Sequence, residues 1–159
     1  MSELKKVTIY TDGGCIDNPG PGGYGVVLLF GDRRKELSGG FRRTTNNRME
    51  MMAALTGLRA LKFPCDVTLL TDSQYLQKGM TLGWAKKWRA KGWMRNAKEK
   101  ASNADLWEQL LDVSAQHKIE FRWVKGHAGN TENERCDELS TRAARQPDLP
   151  VDTGYEEKL

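Results

Sequence analysis

Residues 7–11, VTIYT, alternate apolar and polar side chains with the period of two expected of a strand buried on one face. The run YGVVLLF at 24–30 is apolar almost throughout and predicts a more fully buried strand, and RKELSGGFRRT at 34–44 predicts a third. Short turns between the three imply an antiparallel meander. From Thr45 the period lengthens: Met49, Met52, Ala53, Leu58 and Leu61 recur at helical spacing with polar residues between them. This predicts an amphipathic helix, ended by FPC at 63–65. DVTLLTD at 66–72 and IEFRWV at 119–124 are two further strands. Between them SQYLQKGM, GWAKKWRAKG and ADLWEQLLDVSAQH predict helices, the first two separated near Gly79 to Gly83. A last helix follows KGHAGN, with Thr131 and Glu134 spaced as a capping box at its start.

The order of elements predicts an α/β fold. Its five-stranded mixed sheet has strands 1–3 in antiparallel meander, strands 4 and 5 parallel to strand 1, and helices on both faces. With 159 residues and neither repeat nor linker, a single domain over 1–159 is expected, closed by a polar tail at 146–159 with little core to offer. No apolar run is long enough to cross a bilayer, and MSELKKVTIY lacks a secretory pattern, so no membrane contact is expected. The three cysteines, Cys15, Cys65 and Cys136, are far apart and lack metal or redox spacing. A cytoplasmic monomer is the expectation.

The glycine-rich stretch DGGCIDNPGPGGYG at 12–25 is no Walker loop, because no Gly-Lys-Ser/Thr precedes a helix. Nor is it a dinucleotide-binding turn, since a strand follows it and not a helix. A hairpin connection remains, with NPGPGG as its turn. Turn chemistry leaves Asp12 unexplained. YTDGG at 10–14 and LTDSQ at 70–74 both run apolar, threonine, aspartate, small or polar, so Asp12 and Asp72 occupy matching strand ends. On parallel neighbours about 4.8 Å apart, two such carboxylates repel and invite a cation. Glu50, three residues after Asn47, reads either as a first-turn acid complementing the helix dipole or as a third ligand. Asp137, beside Cys136 and Leu139 on the last helix, stands near the core boundary, where an unpaired charge needs a partner. Four carboxylates suit a hard divalent cation such as Mg2+. Zinc is a poor fit with only His117 and His127 and no paired cysteines. Metal-assisted phosphoryl transfer is the chemistry suggested.

YTDGGCIDNPGPGGYG, TTNNRMEMMA, LTDSQY, WVKGHAG and NERCDELS together resemble ribonuclease HI of the bacterial type, in order and in approximate spacing, from about residue 5 to Tyr155. The resemblance implies a ribonuclease H-like fold and hydrolysis of the RNA strand of RNA/DNA hybrids, with little sequence specificity and with 5′-phosphate and 3′-hydroxyl products. It implies two-metal-ion catalysis by Mg2+, with Mn2+ a possible substitute. Asp12, Glu50, Asp72 and Asp137 match the metal-binding acids, and His127 matches a mobile-loop histidine assisting proton traffic or product release. Cys15, Asn18, Glu50 and Gln74 match positions that meet the RNA 2′-hydroxyls, and Asn18, Asn46 and Asn47 match positions near base edges in the minor groove. For the DNA strand, Arg43, Thr45 and Asn103 match a phosphate pocket, while Tyr75 and Trp84 match an aromatic channel. Gly14 stands where the family often has serine, and Gly83 adds a residue before the handle.

Formal net charge is +4, which by itself makes a polyanion only a plausible partner. Its distribution adds more. Lys86, Lys87, Arg89, Lys91, Arg95, Lys98 and Lys100 crowd residues 84–100 against one acid, Glu99, among Trp84, Trp88 and Trp93. The segment is either a solvated face over core tryptophans or a phosphate-tracking arm, and by resemblance it corresponds to a basic handle, with Lys86, Lys87 and Arg89 meeting substrate. A DNA-directed nuclease of the same fold and a non-catalytic hybrid-binding module are the competing readings. The TTNNR cluster and handle argue against the first, the intact acids against the second.

Overall fold

The computed structural model describes residues 4–125 and 130–157. Its strands are β1 (Lys5–Cys15), β2 (Gly20–Phe30), β3 (Arg33–Thr44), β4 (Cys65–Thr71) and β5 (Lys118–Trp123). They form one sheet in the order β3-β2-β1-β4-β5, antiparallel through β3-β2-β1 and parallel through β1-β4-β5, as the sequence predicts. The helices are α1 (Asn46–Arg59), α2 (Gln74–Thr81), α3 (Trp84–Ala90), α4 (Ala104–Ser114), α5 (Thr131–Ala144) and the short α6 (Thr153–Glu156).

Alternation along β2 places the two helical layers. A side chain grown on Gly22 would meet Met49 of α1, whereas one grown on Gly23 or Gly25 would meet the α5 backbone at Ser140 and Cys136. Hence α1 covers one face and α5 the other. The core lies mainly on the α1 side, where Ile9, Val26, Val67, Leu69, Met51, Leu55, Leu58, Trp107 and Leu110 are buried. Burying a side chain of this kind contributes about 1.5–3 kcal/mol.

Three expectations are corrected. The glycines of GPGGYG are not chiefly turn residues: Gly20, Gly22, Gly23 and Gly25 lie within β2, and the turn is confined to the few residues between Cys15 and Gly20. At Gly13, Gly23 and Gly25 a Cβ would stand 2.4, 2.1 and 2.4 Å from the main chains of α1 or α5, so hydrogen is the only side chain that fits. At the start of α5 it is Asn130 that caps, its side chain accepting from Glu132 N and Asn133 N, and Thr131 is already the first helical residue.

The third correction concerns 146–159, which is no loose tail. Asp152 is buried and its carboxylate accepts from Thr44 Oγ1 (2.7 Å), Arg48 Nε (2.8 Å) and Arg48 Nη2 (3.0 Å). Arg48, itself buried, also reaches Asp105 of α4 at 2.7 and 2.9 Å. One guanidinium therefore ties α1, α4 and the C-terminal segment together, and Arg42 adds a second tie through Glu156 and the Pro150 carbonyl. Arg48 and Asp152, the buried charges of this network, each have opposite charge and hydrogen bonds around them, the condition for burying such a pair.

Candidate active site

The parallel β1-β4 ladder runs at a constant offset to Tyr10 opposite Leu70, so Asp12 and Asp72 emerge side by side two residues further on. β1 itself continues past that point and pairs with β2, Asp12 opposite Gly25. The carboxylate thus projects from a strand held on one edge and open on the other.

Glu50 comes from α1 and is not a first-turn acid. Thr45 caps the helix by accepting from Arg48 N, so Glu50 is the fifth helical residue, 6% exposed and turned toward the sheet. The close approach at Gly13 brings it in: Gly13 N donates to Glu50 Oε1 at 2.5 Å and to Asp12 Oδ1 at 2.9 Å. One oxygen each from Asp12, Glu50 and Asp72 lies within 4.8 Å of the others. Asp137, on α5, lines the same cleft and adds its negative field at Asp12 without joining that tight trio.

Burial first, then the charge of Asp72 and more weakly that of Asp137, raises the Asp12 pKa to about 7, against a partial offset from the bonds to Glu50 and Gly13. Burial, followed by the bond and charge of Asp72 and by Asp12, pushes Glu50 well above the usual carboxylate range. Carboxyls resist ionisation here because, among the described residues, no positive group offsets their burial and mutual repulsion, and a divalent cation would. An oxygen-only donor set of this size fits Mg2+, which binds through a few carboxylates and keeps its remaining positions for water and phosphate.

The cleft around the acids encloses about 530 Å³ and is also lined by Cys15, Asn46, Asn47, Gln74 and Tyr75. A second cleft of about 620 Å³ adjoins it, sharing Asn46 and Asn47 and lined further by Asn18, Thr45, Arg48, Ser102, Asn103 and Tyr155. Most of the residues expected to meet substrate therefore fall into two side-by-side clefts at the start of α1. Side-chain bonds set their walls: Asn46 Oδ1 accepts from Cys15 N at 2.8 Å and Asn18 Oδ1 accepts from Asn46 N at 3.1 Å. Asn103, held at φ 62°, accepts from Arg48 and donates to the Tyr75 hydroxyl.

Other expected residues lie elsewhere. Arg43 is exposed and lines neither cleft, and neither do Trp84, Lys86, Lys87 and Arg89. Tyr75 and Trp84 stand at the two ends of a row of aromatic rings. Tyr75 packs on Trp107 (centroids 5.2 Å apart), Trp107 on Trp88 (6.1 Å) and Trp88 on Trp84 (6.2 Å), so two further tryptophans separate them. Within the basic segment Lys86 and Lys87 are exposed, whereas Arg89 pairs with Asp112 of α4 at 2.9 Å. His127 falls outside the described residues.

Arg48 and Tyr155 line the second cleft without having been singled out from the sequence. Arg48 stands inside the conspicuous TTNNR run, a signal that was available; Tyr155, in a polar segment without periodicity, gave none.

The RNase H family model matches residues 4–145. A protein called Ribonuclease H from Rippkaea orientalis is 64% identical over 154 residues, 97% of this chain and 94% of its own length. Ribonuclease HI of Synechocystis is 57% identical over 155 residues, 97% of each chain. Among solved structures, LC9-RNase H1, described as a type 1 RNase H with the type 2 active-site motif, gives a TM-score of 0.81 at 32% identity, covering 99% of this chain and 82% of that one. The matched sheet topology, the carboxylate trio and these similarities over nearly the whole length agree: the chain belongs to the ribonuclease H family of endoribonucleases, in its bacterial ribonuclease HI branch.

Proposed function

We propose that this chain cleaves the RNA strand of RNA/DNA hybrids endonucleolytically, leaving 5′-phosphate and 3′-hydroxyl ends, with little sequence preference. The carrying observation is the Asp12, Glu50 and Asp72 trio, half-buried around a buried Glu50, with Asp137 beside it, in a cleft paired with a second, polar cleft. Two clefts meeting at one helix start suit a duplex whose strands are treated differently: one passes the acids, the other docks phosphate. The same fold carries an RNA/DNA hybrid in LC11-RNase H1.

Asp12, Glu50, Asp72 and Asp137 would hold Mg2+, two ions per site with substrate, and Mn2+ is a possible substitute. Bound there, the metal supplies an activated water and neutralises charge on the leaving 3′-oxygen. The remaining work belongs to the chain's own groups. Cys15 and Gln74 line the acid cleft where the RNA 2′-hydroxyls would pass, the groups that tell RNA from DNA. Asn18, Asn46 and Asn47 sit between the clefts, placed for minor-groove edges whose degenerate pattern gives little sequence information. Thr45 and Asn103 face the second cleft, where a DNA phosphate would dock. Lys86 and Lys87 extend the contact electrostatically. His127 assists proton traffic or product release.

The test is cleavage of matched RNA/DNA, RNA/RNA and DNA/DNA duplexes with and without Mg2+. Metal-dependent cutting of the hybrid's RNA strand alone is expected. Equal cutting of DNA/DNA would overturn the substrate assignment in favour of a DNA-directed nuclease.

A further inference from the structure

The strands that deliver Asp12 and Asp72 share a threonine–aspartate pair, and the proposed function uses only the aspartates. Both threonines are buried, Thr11 4% and Thr71 0% exposed, yet their hydroxyls do different work. Thr11 Oγ1 donates to the Leu70 carbonyl at 2.9 Å, a tie between β1 and β4 that touches no acid. Thr71 Oγ1 accepts from Ser73 N at 3.0 Å and lies 3.3 Å from Glu50 Oε2. A hydroxyl has one proton. With Ser73 N–H occupying a lone pair, that proton is directed to the Glu50 carboxylate.

Both oxygens of Glu50 are thereby fixed, Oε1 by the β1 main chain at Gly13 and Oε2 by Thr71 of β4. The turn carrying Asp72 is fixed by the same hydroxyl. Ser73 caps α2 through Leu76 N, and the Asp72 carbonyl accepts from Trp123 Nε1 at 3.0 Å. Thr71 bonds both to an acid of the trio and to the backbone presenting another.

We infer that Thr71 is a positioning residue for the carboxylate trio: its hydroxyl links Glu50 to the Asp72 turn and holds the two acids at the separation a shared divalent cation requires. The inference rests on reading the trio as a Mg2+ site. Groups that orient metal ligands typically contribute 10–100-fold to metal affinity.

The test measures Mg2+ binding to the substrate-free full chain by titration calorimetry, alongside steady-state cleavage of a hybrid over a Mg2+ series. Thr71→Val, close to isosteric, is expected to weaken Mg2+ binding about tenfold or more. It should raise the half-saturating Mg2+ concentration by the same factor, with KM for the hybrid at saturating metal within about twofold of the parent. Thr71→Ser, which keeps the hydroxyl, should restore binding to within about threefold. Thr11→Val loses an equally buried hydroxyl in the matching position and should keep Mg2+ affinity within about twofold. Should Thr71→Val fail to fold, Thr71→Ala takes its place in the same comparison. Wild-type affinity in the hydroxyl-free variant, or an equal loss in Thr11→Val, would overturn the inference while leaving the metal site standing. A parent chain that binds no Mg2+ would overturn the metal reading and this inference with it.

Discussion

Replacing Asp12 by Asn should stabilise the metal-free protein while abolishing cleavage. Asp12 loses its proton at about pH 7 in the folded chain against an ordinary value of 3.8. At about 1.4 kcal/mol per pH unit, the native state carries a cost of up to about 4 kcal/mol above neutrality. Some of that belongs to the charges of Asp72 and Asp137, and Asp12 keeps partial access to water. The recoverable share is therefore on the order of 1–3 kcal/mol. Asn preserves the shape, and its Oδ1 can still accept from Gly13 N. The sign follows from which state holds the proton. Below pH 4 the group is protonated in both states and costs nothing. Between 4 and 7 only the unfolded chain releases it, so the cost grows with pH, and above 7 it stays constant. Thermal unfolding in EDTA at pH 8 should show the variant melting roughly 4–8 °C above the parent for a 2 kcal/mol gain. The gap should close by pH 4, and it should narrow at pH 8 when Mg2+ is added, because the parent binds the ion more tightly. Equal melting temperatures at pH 8 in EDTA, or a gap as wide at pH 4 as at pH 8, would refute the electrostatic account.

Asp152→Ala should destabilise the protein by about 3 kcal/mol, because it leaves a buried guanidinium with Asp105 as its remaining carboxylate partner. Urea unfolding measures it, and a loss below 1 kcal/mol would show that the C-terminal segment is merely apposed. Combined Lys86→Ala and Lys87→Ala should lower the slope of log affinity for hybrid against log salt by about two, whereas Arg89→Ala should change it by less than one, its charge being already engaged by Asp112. Binding titrations between low and moderate salt decide this, and an unchanged slope in the double variant would make the segment a solvated face only.

Asp12 and Asp72 were legible because parallel strands translate a repeated local pattern into adjacency: equal position along two neighbouring strands is a three-dimensional statement written in one dimension. The meander and the later strands were legible from local pattern, alternating in VTIYT and almost wholly apolar in YGVVLLF. Glu50 was legible as an acid near a helix start but not as a core-facing one, since its direction depends on how closely α1 approaches Gly13. That approach is a long-range property. The C-terminal segment was misread because its attachment rests on one buried aspartate and a distant arginine, which leave no periodic trace. Asn130 displaced Thr131 as cap because adjacent residues both suited to the role cannot be ranked without the chain's entry angle. The link between Tyr75 and Trp84 was not legible, because the tryptophans that connect them come from α3 and α4, whose packing no local pattern reports.

The bare glycines of β1 and β2 have a consequence for how the molecule tolerates change. Where Gly13, Gly23 and Gly25 meet the helices, main chain rests on main chain, and the dimensions of a peptide group are the same in every sequence. The acids on α1 and α5 are thus referenced to a fixed gauge, not to the sizes of the residues filling the interior. Methionines, leucines and valines beneath them can be exchanged for others of similar total volume without shifting the trio's spacing, so drift in the interior and accuracy at the catalytic centre are decoupled.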